Sequence, residues 1–225
     1  MRIAYLHGFL GGPEVWPGDD GIRIALPGHG GGPVLGTWAA NVEAVARAVG
    51  PCDAVVGYSL GGRIATALVV GGYVPRAVLI STHPGLAEHE RGLRRASDAG
   101  WAALLRHRGI EAFVDAWEAQ PLFSTQVRVA ADRRGARRAR RLTLDPDQLA
   151  LVLEVLSPAQ MPDYRNEIDQ RFRLIVGADD AKYVAIASGL AAPATRIDGA
   201  GHDPLFEQPD RLLQCVAECL KAETL

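Results

Sequence analysis

The sequence predicts an α/β fold with a mostly parallel sheet of about six strands. Three observations predict this fold class. Short apolar runs alternate with segments of helical period along most of the chain, and glycine-rich turns follow several of those runs. The alternation is interrupted once, by a helical stretch over residues 84–165. A length of 225 residues suits one such domain carrying an insertion and is too short for two full domains.

The composition excludes several classes of protein. With 48% hydrophobic and 22% charged residues, the chain can bury a real core, unlike a disordered, collagen-like or disulfide-scaffold protein. A net charge of −2 gives no field that would attract nucleic acid or an anionic membrane, so we expect neither partner. No apolar run approaches ~18 residues, which predicts no membrane span. The three cysteines form no Cys-x-x-Cys pair, and we expect no metal site and a reducing, cytoplasmic location.

The first third of the chain supplies four predicted strands. Each is a short apolar run of the kind that parallel sheets bury on both faces; the runs are Arg2–Leu6, Ile22–Leu26, Asp53–Gly57 and Arg76–Ser81. A helix is predicted to begin after Thr37, a good N-cap residue, and to end at Gly50. A second helix follows the third strand and runs to about Val70.

Residues 84–165 contain helical patterns and no convincing strand. One helix shows apolar side chains at helical spacing, namely Ile110, Phe113, Val114 and Trp117. Another begins with Asp145 as N-cap and Pro146 at the first helical position. The α/β alternation then resumes with the strands Phe172–Val176 and Thr195–Asp198, a helix near Lys182–Leu190 and a last helix from about Pro209.

These patterns divide the chain into a core and an insertion. We expect residues 1–83 and 166–225 to form the α/β core, and residues 84–165 to form a helical cap inserted after the fourth strand.

A candidate nucleophile lies between the third strand and the helix that follows it. The pattern is G-x-S-x-G, here Gly57-Tyr58-Ser59-Leu60-Gly61. Glycines two residues before and after the serine relieve the crowding of a sharp strand-to-helix turn, which lifts the hydroxyl above the sheet at the positive end of a helix. The pattern therefore predicts that Ser59 is a catalytic nucleophile.

A serine hydroxyl needs a base, and the base needs an acid to orient it. The carboxylates Asp179 and Asp180 directly follow one predicted strand, and His202 follows the next in Gly-Ala-Gly-His. The carboxyl ends of parallel strands meet at one edge of the sheet, so we expect these groups to converge near Ser59. His7 and His29 are interpreted as loop-structuring residues. The N–H groups of Leu60 and Phe9 are candidate oxyanion donors.

The motifs LHGFLGG, LPGHG, GYSLGG and AGH resemble those of α/β-hydrolase-fold proteins over nearly the whole chain. The cap region adds HPGL, ERGLRRASDAGWA, WEAQPLF and LVLEVLSPAQMPD, followed by GADDAKY. With these the chain is similar to the 2-succinyl-6-hydroxy-2,4-cyclohexadiene-1-carboxylate synthase family of menaquinone biosynthesis. That family eliminates pyruvate from 2-succinyl-5-enolpyruvyl-6-hydroxy-3-cyclohexene-1-carboxylate with a Ser-His-Asp base system. The chain departs from the family at Ala181, where relatives have serine.

The resemblance implies roles for individual residues. The triad falls on Ser59, Asp180 and His202, with no metal or cofactor. Tyr58 precedes the nucleophile, Trp117 belongs to the W-x-x-Q-P-x-F motif, and two arginines hold substrate carboxylates; the residues concerned are Tyr58, Trp117, Arg94 and Arg141, with Arg137 or Arg138 as alternatives to Arg141.

The triad alone is equally compatible with a different reaction. A serine hydrolase (a carboxylesterase, thioesterase or carbon–carbon bond hydrolase) would use Ser59 to form an acyl-enzyme. We expect a small-molecule carboxylate substrate, and a monomer or small homo-oligomer.

Overall fold

The computed structural model describes residues 1–18 and 21–221, with a six-stranded, wholly parallel sheet at its centre. The strands are β1 (Ile3–Leu6), β2 (Ile22–Ile24), β3 (Ala54–Tyr58), β4 (Ala77–Ile80), β5 (Phe172–Gly177) and β6 (Ala194–Ile197). Their order in the sheet is β2-β1-β3-β4-β5-β6. The predicted fold class is therefore confirmed, and every predicted strand is present with ends shifted by one or two residues.

Eight helices and three 3-10 turns accompany the sheet in the described residues. The helices are α1 (Trp38–Val49), α2 (Leu60–Val70), α3 (Glu88–Glu118, broken into two segments at Gly109, where φ is +75° and ψ is 179°), α4 (Ala131–Arg141), α5 (Pro146–Val155), α6 (Ala181–Ser188), α7 (Pro204–Glu207) and α8 (Pro209–Lys221). The 3-10 turns are Pro13–Val15, Pro121–Arg128 and Arg165–Glu167. None of these helices combines the length and apolar character that crossing a bilayer needs.

The predicted helix starts rest on side-chain capping. Thr37 Oγ1 accepts a hydrogen bond from Ala40 N–H (3.2 Å), and Asp145 Oδ1 accepts from the N–H groups of Asp147 and Gln148. Both side chains satisfy donors that a helix cannot use itself. The short helix α7 was not predicted as a separate element, although Asp203 caps it in the same way.

Apolar side chains cover both faces of the sheet and also join the inserted helices to it. All five residues of β3 are buried, as expected for a central parallel strand. A further apolar cluster lies between α3, α5 and the loop after β1, and includes Leu105, Phe113, Leu149 and Leu10. The helices α3 to α5 thus pack over the loop that follows β1. The division into core and cap at residues 84 and 165 stays a prediction.

Two buried histidines tie together the loops that follow β1 and β2. The Nε2 atom of His7 accepts from Leu26 N–H (3.0 Å), and Nε2 of His29 accepts from Leu10 N–H (3.2 Å). The Nδ1 atoms lie 2.8 and 3.2 Å from the carbonyl oxygens of Gly8 and Pro27. Each ring is thus a neutral Nδ1–H tautomer that accepts and donates within the backbone.

Burial of these two rings should make the fold sensitive to acid. Desolvation lowers the pKa of His7 to about 4 and that of His29 to about 3. Unfolded histidine titrates near 6.5, so the unfolded chain binds more protons below that pH and stability falls. We expect the free energy of unfolding to drop between pH 7 and 5 by about 2 kcal/mol for each buried histidine.

Urea denaturation at pH 7 and pH 5 measures this loss. The variant His29→Asn removes one buried imidazole and should show a shallower pH dependence than the unmodified protein. His107→Asn, at an exposed position of α3, serves as the control and should leave the dependence unchanged. Equal stability of the unmodified protein at the two pH values would contradict the prediction.

Candidate active site

Ser59 lies at a strained turn between β3 and α2. Its backbone has φ +49° and ψ −106°, a region that a residue with a side chain adopts only under constraint. A Cβ on Gly57 would lie 2.5 Å from Gly61 O, and a Cβ on Gly61 would collide with the carbonyl oxygen of Leu6 in β1. The turn is therefore closed too tightly for any other residue at these two positions, and it rests directly on the neighbouring strand.

The structure brings Ser59, His202 and Asp180 together from three different loops. His202 Nε2 lies 3.3 Å from Ser59 Oγ, and His202 Nδ1 lies 2.8 Å from Asp180 Oδ2. Asp180 and His202 are both buried, which strengthens the interaction between them. Asp179 points elsewhere and forms an ion pair with Arg128. The arrangement can move a proton between Ser59 and the imidazole while the carboxylate holds the ring orientation.

The two candidate oxyanion donors come from chain segments that adjoin Ser59. Leu60 is the first residue of α2, so the helix itself does not use its N–H. The loop after β1 passes close by, because a Cβ on Gly8 would lie 3.6 Å from Ser59 Cβ. Phe9, the next residue, lines the space above the serine. The role of these two N–H groups stays a prediction.

A cavity of about 180 Å³ opens above Ser59 and His202. Its walls include the aromatic side chains of Phe9, Tyr58, Trp101, Trp117, Phe123 and Tyr183. Trp117 also stacks on Phe113, with 5.4 Å between ring centroids, so it both lines the cavity and packs in the core. The ring of Tyr183 lies 4.4 Å from that of His202.

The cavity carries a surplus of positive charge. Four cationic side chains line it, namely Arg63, Arg94, Arg141 and Lys182, against a single carboxylate, Asp98. Both Oδ atoms of Asp98 lie within 2.9 Å of Arg94 Nε, and Ser157 Oγ donates to Oδ2 at 2.5 Å. Asp98 thus holds Arg94 by its Nε edge. The geometry suits anions that bear several carboxylates.

Of the three arginines on α4 considered from the sequence, the one that lines this cavity is Arg141. It is buried, and Nη1 contacts Glu118 Oε1 at 2.7 Å. Its Nε atom is buried without a hydrogen-bond partner among the described residues. Arg138 instead pairs with Asp115 (2.6 Å), and Arg137 lies 3.2 Å from Asp203.

Sequence reasoning missed three basic groups of the cavity: Arg63, His83 and Lys182. Burial, and then the positive charge of Arg94, lowers the pKa of Arg63 to about 10. Burial and the neighbouring cations lower the pKa of His83 to about 4, and the pKa of Lys182 is lowered for the same reasons. Burial is the largest cause of each shift and repulsion between the cations adds to it, so a bound anion would offset both effects. The position of Arg63, one helical turn after Ser59, is the signal that could have revealed it.

No cluster in residues 1–18 and 21–221 brings three or more His, Cys, Asp or Glu side chains close enough to hold a metal ion.

Comparisons with known proteins agree with this architecture. The alpha/beta hydrolase family matches residues 3–214. The 2-succinyl-6-hydroxy-2,4-cyclohexadiene-1-carboxylate synthase of Salmonella typhimurium (strain LT2) is 34% identical over 240 residues, which cover 97% of this chain and 93% of that protein. The protein of the same name from Citrobacter koseri is 32% identical over 247 residues, with the same coverage of both chains.

Solved structures show the same relationship in three dimensions. MenH from S. aureus superposes with a TM-score of 0.89 and 26% identity, over 98% of this chain and 93% of that chain. A thermophilic esterase from Thermogutta terrifontis has a TM-score of 0.77 and 22% identity, over 98% of this chain and 89% of that one. The likeness to the esterase shows a shared fold alone.

Proposed function

Because this chain belongs to the alpha/beta hydrolase family of enzymes, we propose that its site catalyses a carbon–oxygen lyase reaction of that fold. The proposed reaction eliminates pyruvate from 2-succinyl-5-enolpyruvyl-6-hydroxy-3-cyclohexene-1-carboxylate. Relatives that are 32% to 34% identical carry the name of the synthase whose product this elimination gives. The observation that carries the proposal is the charge of the cavity above Ser59.

The substrate has three carboxylates, one on the ring, one on the succinyl chain and one on the enolpyruvyl group. Four cations and one carboxylate line the cavity, which leaves three positive charges in excess. The excess is two if Glu118, which pairs with Arg141 outside the cavity lining, is also counted. Planar guanidinium groups bind carboxylates through two parallel hydrogen bonds. We assign Arg94 and Arg141 as carboxylate ligands and add Arg63 and Lys182 as further anchors.

The reaction requires a base at the ring carbon that bears the succinyl group. Loss of this C–H proton supplies the electron pair that shifts through the ring double bond and expels the enolpyruvyl oxygen. One C–H and one C–O bond break, one new C=C bond forms in the ring, and the released enolate takes up a proton on carbon to become pyruvate. In the proposal, His202 takes the Ser59 proton, and Ser59 or the Ser–His pair accepts the ring proton.

Negative charge develops on the succinyl carbonyl oxygen as the proton leaves. The N–H groups of Phe9 and Leu60 are proposed to donate to that oxygen. Tyr58 and Trp117 are proposed to position the ring against the serine, since both line the cavity. Asp180 holds His202 in the tautomer that can accept at Nε2.

Pyruvate release from the authentic substrate tests the proposal. Lactate dehydrogenase and NADH report pyruvate continuously, and the diene product is followed by its absorbance. We expect pyruvate and diene to appear in equal amounts, with far slower turnover of p-nitrophenyl esters. Efficient ester hydrolysis without pyruvate release would contradict the lyase reaction. It would support instead the serine hydrolase alternative, in which Ser59 forms an acyl-enzyme.

Arg94→Met should separate the two reactions. Arg94 lines the cavity but does not contact Ser59 or His202, so a neutral ester such as p-nitrophenyl acetate does not need it. We expect kcat/KM for pyruvate release to fall by about 10- to 100-fold, the loss expected for one charged hydrogen-bonding anchor. Turnover of p-nitrophenyl acetate should stay within about twofold of the unmodified enzyme.

Arg106→Met is the matched control for this measurement. Arg106 is on the same helix but pairs with Glu154 away from the cavity. It should leave both reactions unchanged. An equal loss of both reactions in Arg94→Met would argue against a carboxylate-binding role for that residue.

A further inference from the structure

Arg137, one helical turn before Arg141 on α4, contacts the residue that follows His202. Its Nη1 lies 3.2 Å from Asp203 Oδ2, and its guanidinium carbon lies 3.5 Å from the ring centroid of Phe206. Its Nη2 donates to Gln126 Oε1. The side chain is only 11% exposed, so this ion pair is largely shielded from solvent. The helix α4, which supplies a cavity arginine, is thereby fastened to residues 198–203, the loop that carries His202 (the histidine loop).

The backbone on both sides of His202 is held by one carboxylate. Glu207 Oε2 accepts from Gly201 N–H at 2.8 Å, and Glu207 Oε1 accepts from Asp203 N–H at 3.2 Å. Asp203 Oδ1 also accepts from Phe206 N–H at 3.1 Å, which starts α7. The histidine loop is thus fixed by α7 from its own side, and the pair of Arg137 with Asp203 fixes it from α4.

We propose that Arg137 is a positioning residue: its ion pair with Asp203 and its stacking on Phe206 hold the His202 imidazole in place against Ser59. The inference rests on the proposed role of His202 as the base that accepts the Ser59 proton. It also explains why a second arginine on α4 is buried without lining the cavity above the serine. Through Arg137 and Arg141, one helix connects carboxylate binding with the base.

The pair of Arg137 and Asp203 acts on the site through its charges as well as through its geometry. Burial raises the pKa of Tyr58, Asp203 raises it further and Arg137 opposes that effect. The Tyr58 ring lies 5.7 Å from that of His202, and Asp203 is the residue that follows His202 in the chain. An unpaired Asp203 would favour the imidazolium form, and an unpaired Arg137 would disfavour it.

Other titratable groups also face the imidazole and are kept unchanged in the test. Asp180 contacts it directly, Tyr58 faces it from β3 and Tyr183 from α6. The basic side chains Arg63, His83, Arg94, Arg141 and Lys182 line the same cavity.

The labelling rate of Ser59 by a fluorophosphonate probe measures the base without the natural substrate. In this reaction the Oγ–P bond forms, the P–F bond breaks, fluoride leaves and His202 takes the Oγ proton. Second-order rates are measured between about pH 5 and 9, a window that brackets the ordinary histidine range. Because no cyclohexene substrate is involved, failure of the lyase assignment would not affect this test.

Four variants are compared with the unmodified protein: R137M, D203N, the double variant R137M/D203N, and R138M as the matched control. We expect R137M to label about tenfold more slowly, the scale of loss for a modestly displaced catalytic group. The labelling rate falls on the acidic side of its pH profile, and we call this fall the acidic limb. The acidic limb of R137M should move to higher pH by about half a unit, and that of D203N should move to lower pH. The amide oxygen introduced by D203N can still cap α7, so this variant isolates the charge.

The double variant removes both charges and should return the acidic limb to its original position, but its rate should stay as low as that of R137M, because the ion pair and the stacking on Phe206 are both still missing. R138M, whose arginine pairs with Asp115 of α3, should behave as the unmodified protein. Thermal unfolding checks that each variant is folded. If R137M does not fold, R137K keeps the charge and should label more slowly with an unshifted limb.

The proposal is overturned if R137M labels at the original rate with an unmoved acidic limb. It is also overturned if R137M and D203N shift the acidic limb in the same direction. Removing a positive charge and removing a negative charge should shift the limb in opposite directions, whereas loss of loop packing alone would not depend on the sign of the charge.

Discussion

Ser59→Ala is expected to lower kcat for pyruvate release by about 10³- to 10⁴-fold, the contribution of a positioned general base. The hydroxyl oxygen lies 3.3 Å from His202 Nε2 and borders the cavity that the cations line. Alanine removes the hydroxyl that gives its proton to His202 and then accepts the ring proton. The cations still bind the carboxylates, so KM should change little.

Thermal unfolding provides the control for this variant. Ser59 has a strained backbone, with φ +49°, and alanine neither relieves nor adds to that strain. We therefore expect an unchanged melting temperature together with the loss of activity. A rate of pyruvate release equal to that of the unmodified enzyme would exclude the proposed mechanism.

Asp180→Asn is expected to have an effect of similar size, about 10³- to 10⁴-fold on kcat at neutral pH. Asp180 Oδ2 lies 2.8 Å from His202 Nδ1, with both side chains buried. An asparagine amide can donate to Nδ1, which stabilises the tautomer with its proton on Nε2. That tautomer cannot accept the Ser59 proton.

The same substitution should spare the fold, because Asp180 has a second contact. Its Oδ1 accepts from Tyr183 N–H at 3.2 Å and caps α6, and an asparagine oxygen can do the same. Asp179→Asn is the matched control, since Asp179 pairs with Arg128 instead. Near-normal activity in Asp180→Asn, or a comparable loss in Asp179→Asn, would contradict the assignment of Asp180 as the orienting acid.

Much of the fold could be predicted because local signals agree with the global arrangement. Apolar runs, the caps Thr37 and Asp145, and the glycine-flanked serine each act over a few residues, where sequence reasoning is strongest. The end of β2 shows the limit. The prediction extended the strand to Leu26, but the Leu26 N–H donates to His7 Nε2 instead of to a neighbouring strand. No local sequence pattern predicts a hydrogen bond between residues such as His7 and Leu26, which are 19 positions apart in the chain.

The charged residues of the site show the same limit more clearly. Arg137, Arg138 and Arg141 lie on one arginine-rich helix, and helical period alone does not say which of them enters the cavity. Their partners decide it, because Asp203 and Asp115 hold two of them away from it. Arg63 and Lys182 were missed since their relation to the cavity depends on how α2 and α6 are oriented above the sheet.

The close approach of Gly61 to the Leu6 carbonyl has a consequence for how the protein can change over evolution. The height of the serine above the sheet is set by one main chain resting on another, with no core side chain in between. Apolar residues deeper in the core can therefore be exchanged for others of similar volume with little effect on where the hydroxyl lies. Tolerance to sequence drift and constancy of the nucleophile are compatible in this fold because different atoms provide them.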